Sequence, residues 1–215
     1  HSNWVFLTPT WHYTRPAPAV LEVVAGQDNL WPEVIGAVTQ AHNLSLNVAL
    51  FPAPVFPTDT TNWWQNAPRD FGWWISWFDQ YRAFTLHHAD MAARSDAQAL
   101  VLGGEWLAPA LPGGKLQDGS PSGVPTDAES RWRSLIGEIR ARYDGVLLWA
   151  LPYPVGVESP PPFLDAVDGV YVLWSAALAQ SNSPSQVDMQ AEAGRLLDSS
   201  LLPLQQRLGK PVIVG

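Results

Sequence analysis

Apolar residues gather along this chain in short runs that do not alternate with polar ones. The runs Trp4 to Pro9, Ser45 to Phe51, Ala99 to Leu102, Val146 to Ala150, Gly169 to Trp174 and Pro211 to Val214 are rich in Val, Leu and Ile. A run of this kind reads as a strand buried on both faces, as in a parallel sheet. Between them the period lengthens to that of helices. Leu30 to His42 reads as a helix with Pro32 tolerated in its first turn. Asp70 to Arg94 reads as a long aromatic helix, with Trp73, Trp77, Tyr81 and Phe84 on one stripe that should pack inward. Asp127 to Tyr143 is a helix with Thr126 or Asp127 at its cap, and Pro162 to Val167 is a short one. Ser185 to Leu208 is a helix that Pro203 bends or interrupts, and Gly209 ends it.

Six strands separated by helices imply a parallel sheet with right-handed crossovers. Such a sheet is either open and doubly wound or closed as a (β/α)8 barrel. No Gly-x-Gly-x-x-Gly follows the first strand and no Walker pattern occurs, which weakens the nucleotide-binding open sheets. The loops favour the barrel. Those after strands are long (Thr10 to Asn29, Pro52 to Arg69, Trp106 to Pro125, Leu151 to Pro161), and those before strands are short (Asn43-Leu44, Ser95 to Gln98, Asp144-Gly145, Gly209-Lys210). That asymmetry belongs to a barrel whose site lies at the C-terminal ends of its strands. The expected fold is thus an α/β, TIM-type (β/α)8 barrel, incomplete in this chain with about six of its eight β-α units. Residues 1–215 would form a single partial barrel domain. The start at His1 suggests a piece of a longer protein, and the open sheet edges would be covered by further chain segments or by self-assembly.

Composition narrows the function. The net charge is −8, with 20 acidic against 12 basic residues and no basic cluster, which argues against nucleic acid. There are no cysteines, which excludes disulfides and thiolate metal sites. No apolar run approaches the roughly 18 residues of a transmembrane helix. Neither a cofactor nor a metal is called for. The outliers are 12 Trp and 20 Pro. About two thirds of the Trp residues should be structural. The rest point to carbohydrate, because the apolar faces of sugars stack on aromatic rings.

The candidate chemistry lies where strands end. Glu105 follows the strand Ala99 to Leu102 and two glycines, and a charge placed there needs a partner or a task. It is the candidate catalytic acid. Trp11, His12 and Tyr13 follow the first strand, Trp106 follows Glu105, Trp149 and Tyr153 follow the fourth strand, and Trp174 ends the fifth. These seven are the candidate substrate-binding residues. A glycosidase needs two carboxylates, and the second is not evident. Glu158 lies in a Pro-rich loop within possible reach. Asp165, Asp168, Asp118 and Asp127 read as caps, turn residues or solvated groups, and His87-His88 as a packed or solvated helix face.

Several motifs resemble glycoside hydrolase family 113. They are Trp73-Trp74, Trp77-Phe78, Tyr81 and Phe84; Leu102-Gly103-Gly104-Glu105; Glu129-x-x-Trp132-Arg133-x-Leu135-Ile136 with Arg140 and Tyr143-x-Gly145; and Lys210-Pro211-Val212-Ile213-Val214. The resemblance implies a β-mannanase-like (β/α)8 enzyme of the retaining type, running here from the second barrel strand to the seventh. Glu105 would match the acid/base at the end of the fourth strand. The nucleophile would be a Glu directly after Gly215, and at the place of Gly215 itself the family commonly has Thr. The long loop Leu107 to Pro125 looks more like a branch of uncharacterised secreted or lipid-anchored bacterial proteins, so an extracellular or cell-surface location is expected. The leading expectation is hydrolysis of a β-linked polysaccharide such as β-mannan, with a polysaccharide or oligosaccharide as partner. The alternative is a barrel that binds glycan or builds a surface structure without hydrolysis.

Overall fold

The computed structural model describes residues 3–179 and 183–215. Six strands form one parallel sheet: β1 (Trp4–Leu7), β4 (Asn47–Leu50), β6 (Ala99–Gly103), β7 (Val146–Pro152), β8 (Gly169–Leu173) and β9 (Val212–Val214), in that spatial order. Their numbering leaves room for a second sheet of β2 (Thr10–Pro16), β3 (Ala19–Glu22) and β5 (Ala53–Val55), ordered β3-β2-β5. The helices are α1 (Trp31–Asn43), α2 (Thr60–Asn66), α3 (Phe71–Arg94), α4 (Ala128–Arg140), α5 (Val155–Glu158), α6 (Gln186–Leu196) and α7 (Leu202–Leu208). Each of the six expected strands is present, and the main sheet is a curled half-barrel.

The curl follows from side-chain size. Along each strand, alternate residues point to opposite faces. One face carries Val48, Leu50, Leu100, Leu102, Leu147, Trp149, Leu151, Val170 and Val172, all buried in the large core under the helices. The other carries Ala49, Ala99, Val101, Leu148 and Ala150, a small separate cluster. Bulk outside and small residues inside bend the sheet toward its small face. Phe6 on β1 and Tyr171 on β8 therefore stack at 4.8 Å, although β4, β6 and β7 lie between their strands. Among the described residues no helix is long and apolar enough to cross a membrane.

Two of the long loops contain regular structure of their own. Thr10 to Asn29 contains the β2-β3 hairpin, and β5 joins β2 in parallel through Thr10↔Ala53, Trp11↔Pro54 and His12↔Val55. Pro52 to Arg69 contains β5 and α2. Prolines at 9, 16, 18, 52, 54 and 57 break the sequence signal there. The expected helix Ser185 to Leu208 is split by a five-residue π-helical segment, Leu197–Leu201, directly before α7. Pro203 has no N–H to bond the carbonyl four residues back, so the ladder slips there. Asp127 stands at the start of α4 but gives no side-chain cap, because its carboxylate pairs with Arg131.

Helix α3 is the main outer support. Asp70 caps it by accepting from the Trp73 N–H at 2.8 Å. Trp73, Trp77, Tyr81 and Phe84 are all buried, as their stripe implies. His88 lies on the same helix, 1 % exposed, with Nδ1 2.8 Å from the Phe84 carbonyl. Burial pushes its pKa down to about 3, against a donor hydrogen bond that raises it. The fold thus holds His88 neutral, while the unfolded chain protonates it near 6.5. Stability from the neutral ring is full above pH 6.5 and is lost as the pH falls toward 3. Denaturant titration should show the protein about 2 kcal/mol less stable at pH 5 than at pH 7.5. His88→Phe should flatten that dependence, and an unchanged slope in this variant would rule out His88 as its source.

Candidate active site

Strand β6 ends in two glycines that only glycine could supply. Gly103 has φ +90° and Gly104 φ +126°. A Cβ on Gly103 would sit 2.8 Å from the Ala150 carbonyl oxygen and 2.9 Å from the Trp149 ring. A Cβ on Gly104 would sit 2.5 Å from the Trp106 ring. The chain turns there into a short 3-10 helix, Glu105–Ala110, of which Glu105 is the first residue. Its side chain is exposed.

Glu105 lines a cavity of about 420 Å³ at the C-terminal end of the half-barrel. Phe6, Phe51 and Tyr171 form the floor, and Tyr153 and Trp174 stand on one wall with ring centroids 4.7 Å apart. Backbone pairing continues past the strand ends to hold this wall. Tyr153 donates its N–H to the Leu173 carbonyl at 3.1 Å, and Trp174 to the Gly215 carbonyl at 2.9 Å. The Ser175 hydroxyl donates to the Tyr153 carbonyl at 3.0 Å. Among the described residues that line the cavity, Glu105 carries the one charge.

The Tyr171 hydroxyl stands against the backbone of Gly215. A Cβ on residue 215 would clash with that hydroxyl, so a larger residue there requires the ring to shift. Burial raises the Tyr171 pKa above its ordinary value.

The structure gathers Glu105, Tyr153 and Trp174 in one cavity, with Trp106 beside it. The Trp106 ring packs on Phe51 at 5.7 Å. The other four candidates go elsewhere. Trp11 lies on β2 and turns against Phe84, His87 and His88 of α3. His12 faces the carboxylate of Asp28 at 2.9 Å, and Asp28 also accepts from Thr10 and the Val24 N–H. Tyr13 is 2 % exposed and packs on Trp63 and Phe56. Trp149 is 2 % exposed and packs on Trp132 and Phe163, because it is an odd-numbered strand position facing the helices. Tyr13 and Trp149 are core residues, and Trp11 and His12 belong to the second sheet rather than to a loop over the mouth. Glu158 lines a different cavity, with Pro160 and Arg207. Asp165 pairs with Arg133, Asp168 with Arg140, and Asp118 holds a turn through Ser120.

Phe6, Phe51 and Tyr171 were missed as site residues. The usable signal was their parity: Phe6 and Tyr171 lie on the inward-facing positions of β1 and β8, and Phe51 continues the inward parity of Ala49 one residue past β4.

No family model matches the chain, and no curated protein matches it. Among solved structures it is similar to the glycoside hydrolase family 113 β-mannanase of Alicyclobacillus acidocaldarius, with TM-score 0.70 and 22% identity over 99% of this chain. The fold is that of the family 113 β-mannanases. A second such enzyme, a β-1,4-mannanase, aligns with TM-score 0.71 and 18% identity over 98% of this chain. The chain spans 59% and 60% of the length of these two mannanase chains. A family 18 chitinase from Pseudoalteromonas aurantia aligns more loosely, with TM-score 0.58 and 14% identity over 99% of this chain and 72% of its own. Glu105 thus stands at a strand end of a half-barrel with this fold.

Because Gly103 is boxed in by Ala150 and Trp149, Gly103→Ala should lower stability by about 1 to 3 kcal/mol. An unchanged denaturation midpoint would show that the strand end tolerates a side chain.

Proposed function

We propose that this barrel hydrolyses a β-linked polysaccharide such as β-mannan with retention, and that Glu105 is its acid/base. The observation that carries the reading is a lone exposed carboxylate at a barrel strand end, in an otherwise uncharged cavity with the Tyr153 and Trp174 rings on its wall. A neutral sugar chain suits such a cavity. Its apolar ring faces would lie on Tyr153 and Trp174, and its glycosidic oxygen would face Glu105.

The chemistry requires a second carboxylate about 5–5.5 Å from the first. In this reading it stands on the residue that follows Gly215, and Gly215 lines the same cavity as Glu105. In the first step that carboxylate bonds to the anomeric carbon, the glycosidic C–O bond breaks, and Glu105 gives its proton to the departing oxygen. In the second, Glu105 takes a proton from water, the water oxygen bonds to the anomeric carbon, and the nucleophile is released. The same site would serve an extracellular or surface-anchored enzyme that meets polymers outside the cell.

In the whole protein, Glu105→Gln should cut reducing-sugar release from β-mannan by about 10²- to 10⁴-fold. Wild-type turnover in that variant would sink the assignment. Trp174→Ala should weaken oligosaccharide binding about tenfold, for a stacking contact of roughly 1 to 1.5 kcal/mol. Mannan binding with no release of reducing ends by the whole protein would favour the non-hydrolytic alternative.

A further inference from the structure

We propose that Trp64 is the positioning residue of Glu105, an inference that rests on reading Glu105 as the proton donor. The exposed Glu105 side chain makes no hydrogen bond or ion pair among the described residues, so its aim depends on its backbone. That backbone is held on both sides. On one side, the Gly104 N-terminal to it is covered by the Trp106 ring. On the other, the Trp106 carbonyl accepts the Trp64 indole N–H at 2.9 Å.

The Trp106 carbonyl needs an outside donor for a local reason. In a 3-10 helix a carbonyl bonds the N–H three residues on. For Trp106 that residue is Pro109, which has no N–H. Trp64 supplies the missing donor from helix α2, across 42 residues of sequence. The donor end of the bond is buried, which limits competition from water.

Trp64 is itself anchored. It is 2 % exposed and packs against Trp74, stacked at 5.7 Å, and Trp77 at 5.5 Å. Its own carbonyl accepts from the Arg69 guanidinium. Helix α2 is capped by Asp59, which accepts the Asn62 N–H at 2.9 Å. The tryptophan-rich core under α3 thus extends through one hydrogen bond to the turn that carries the acid.

Trp64→Phe keeps an aromatic ring in the core and removes the donor. On β-mannan the variant should lose about tenfold or more in kcat with KM within about twofold, since small misplacements of a reacting group are costly. With a 2,4-dinitrophenyl β-mannoside, kcat/KM reports only the first step, and that step needs no proton from Glu105 because the leaving group departs unprotonated. There Trp64→Phe should match the wild type within about twofold. Equal losses on both substrates would mean a structural role and would overturn the inference, as would wild-type rates on both. Pro109→Ala added to Trp64→Phe should restore part of the mannan rate, by giving the Trp106 carbonyl an N–H. Should Trp64→Phe not fold, 3-benzothienylalanine at position 64 makes the same comparison, with sulfur in place of the N–H. Glu105→Ala tests the underlying reading separately: azide should restore its turnover of the dinitrophenyl substrate. Failure there removes Glu105 as acid/base, whereas success there with equal losses in Trp64→Phe removes Trp64 alone.

Discussion

The structure depends on the unequal size of side chains on the two faces of one parallel sheet. Val, Leu and Trp on the outer face must be covered by helices, and Ala, Val and Leu on the inner face leave room for the strands to close toward one another. Burial of the outer face supplies most of the stabilisation, at about 25 cal/mol per Å² of apolar surface. The inner face supplies shape. On that face Phe6 is in register with Ala49 and Tyr171 with Ala150, so the large rings are packed against alanines. Phe6, Phe51 and Tyr171 then line the cavity that holds Glu105.

Glu105 inherits its place from the same constraint. Strand β6 runs between β4 and β7 with no space for a side chain at Gly103, since Ala150 and Trp149 press against it. The two glycines end the strand abruptly, and the first residue after them faces the cavity. A carboxylate there is exposed to whatever enters, beside a wall that backbone pairing holds upright. The second sheet and α2, which lie outside the half-barrel, hold this turn in place through the tryptophan core.

Much of this was legible in the chain. The six parallel strands show as unalternating apolar runs, the long helix shows as the stripe from Trp73 to Phe84, and the Gly103-Gly104-Glu105 step marks an acid at a strand end. These signals are local, so no other part of the chain can mask them. The binding residues were less legible. Trp149 and Tyr153 are close in sequence and look alike as aromatics near the end of one strand. Yet Trp149 faces the helices and Tyr153 lies beyond the point where the strand ends at the cavity. Trp11, His12 and Tyr13 seemed to follow the first strand into a loop, but they form β2 and pack on α3 and α2.

The chain by itself determined the six main strands and the helices α1, α3 and α4 between them, the parallel class of the sheet and the position of Glu105, because backbone preference and the period of burial act over a few residues. Tertiary structure decided which aromatics meet a ligand, since that depends on which face of each strand turns toward the lumen. It also placed the Tyr171 hydroxyl, from a neighbouring strand, against the backbone of Gly215. And it joined Trp64 to the carbonyl that Pro109 leaves without a partner, a pairing across 42 residues that no local pattern encodes.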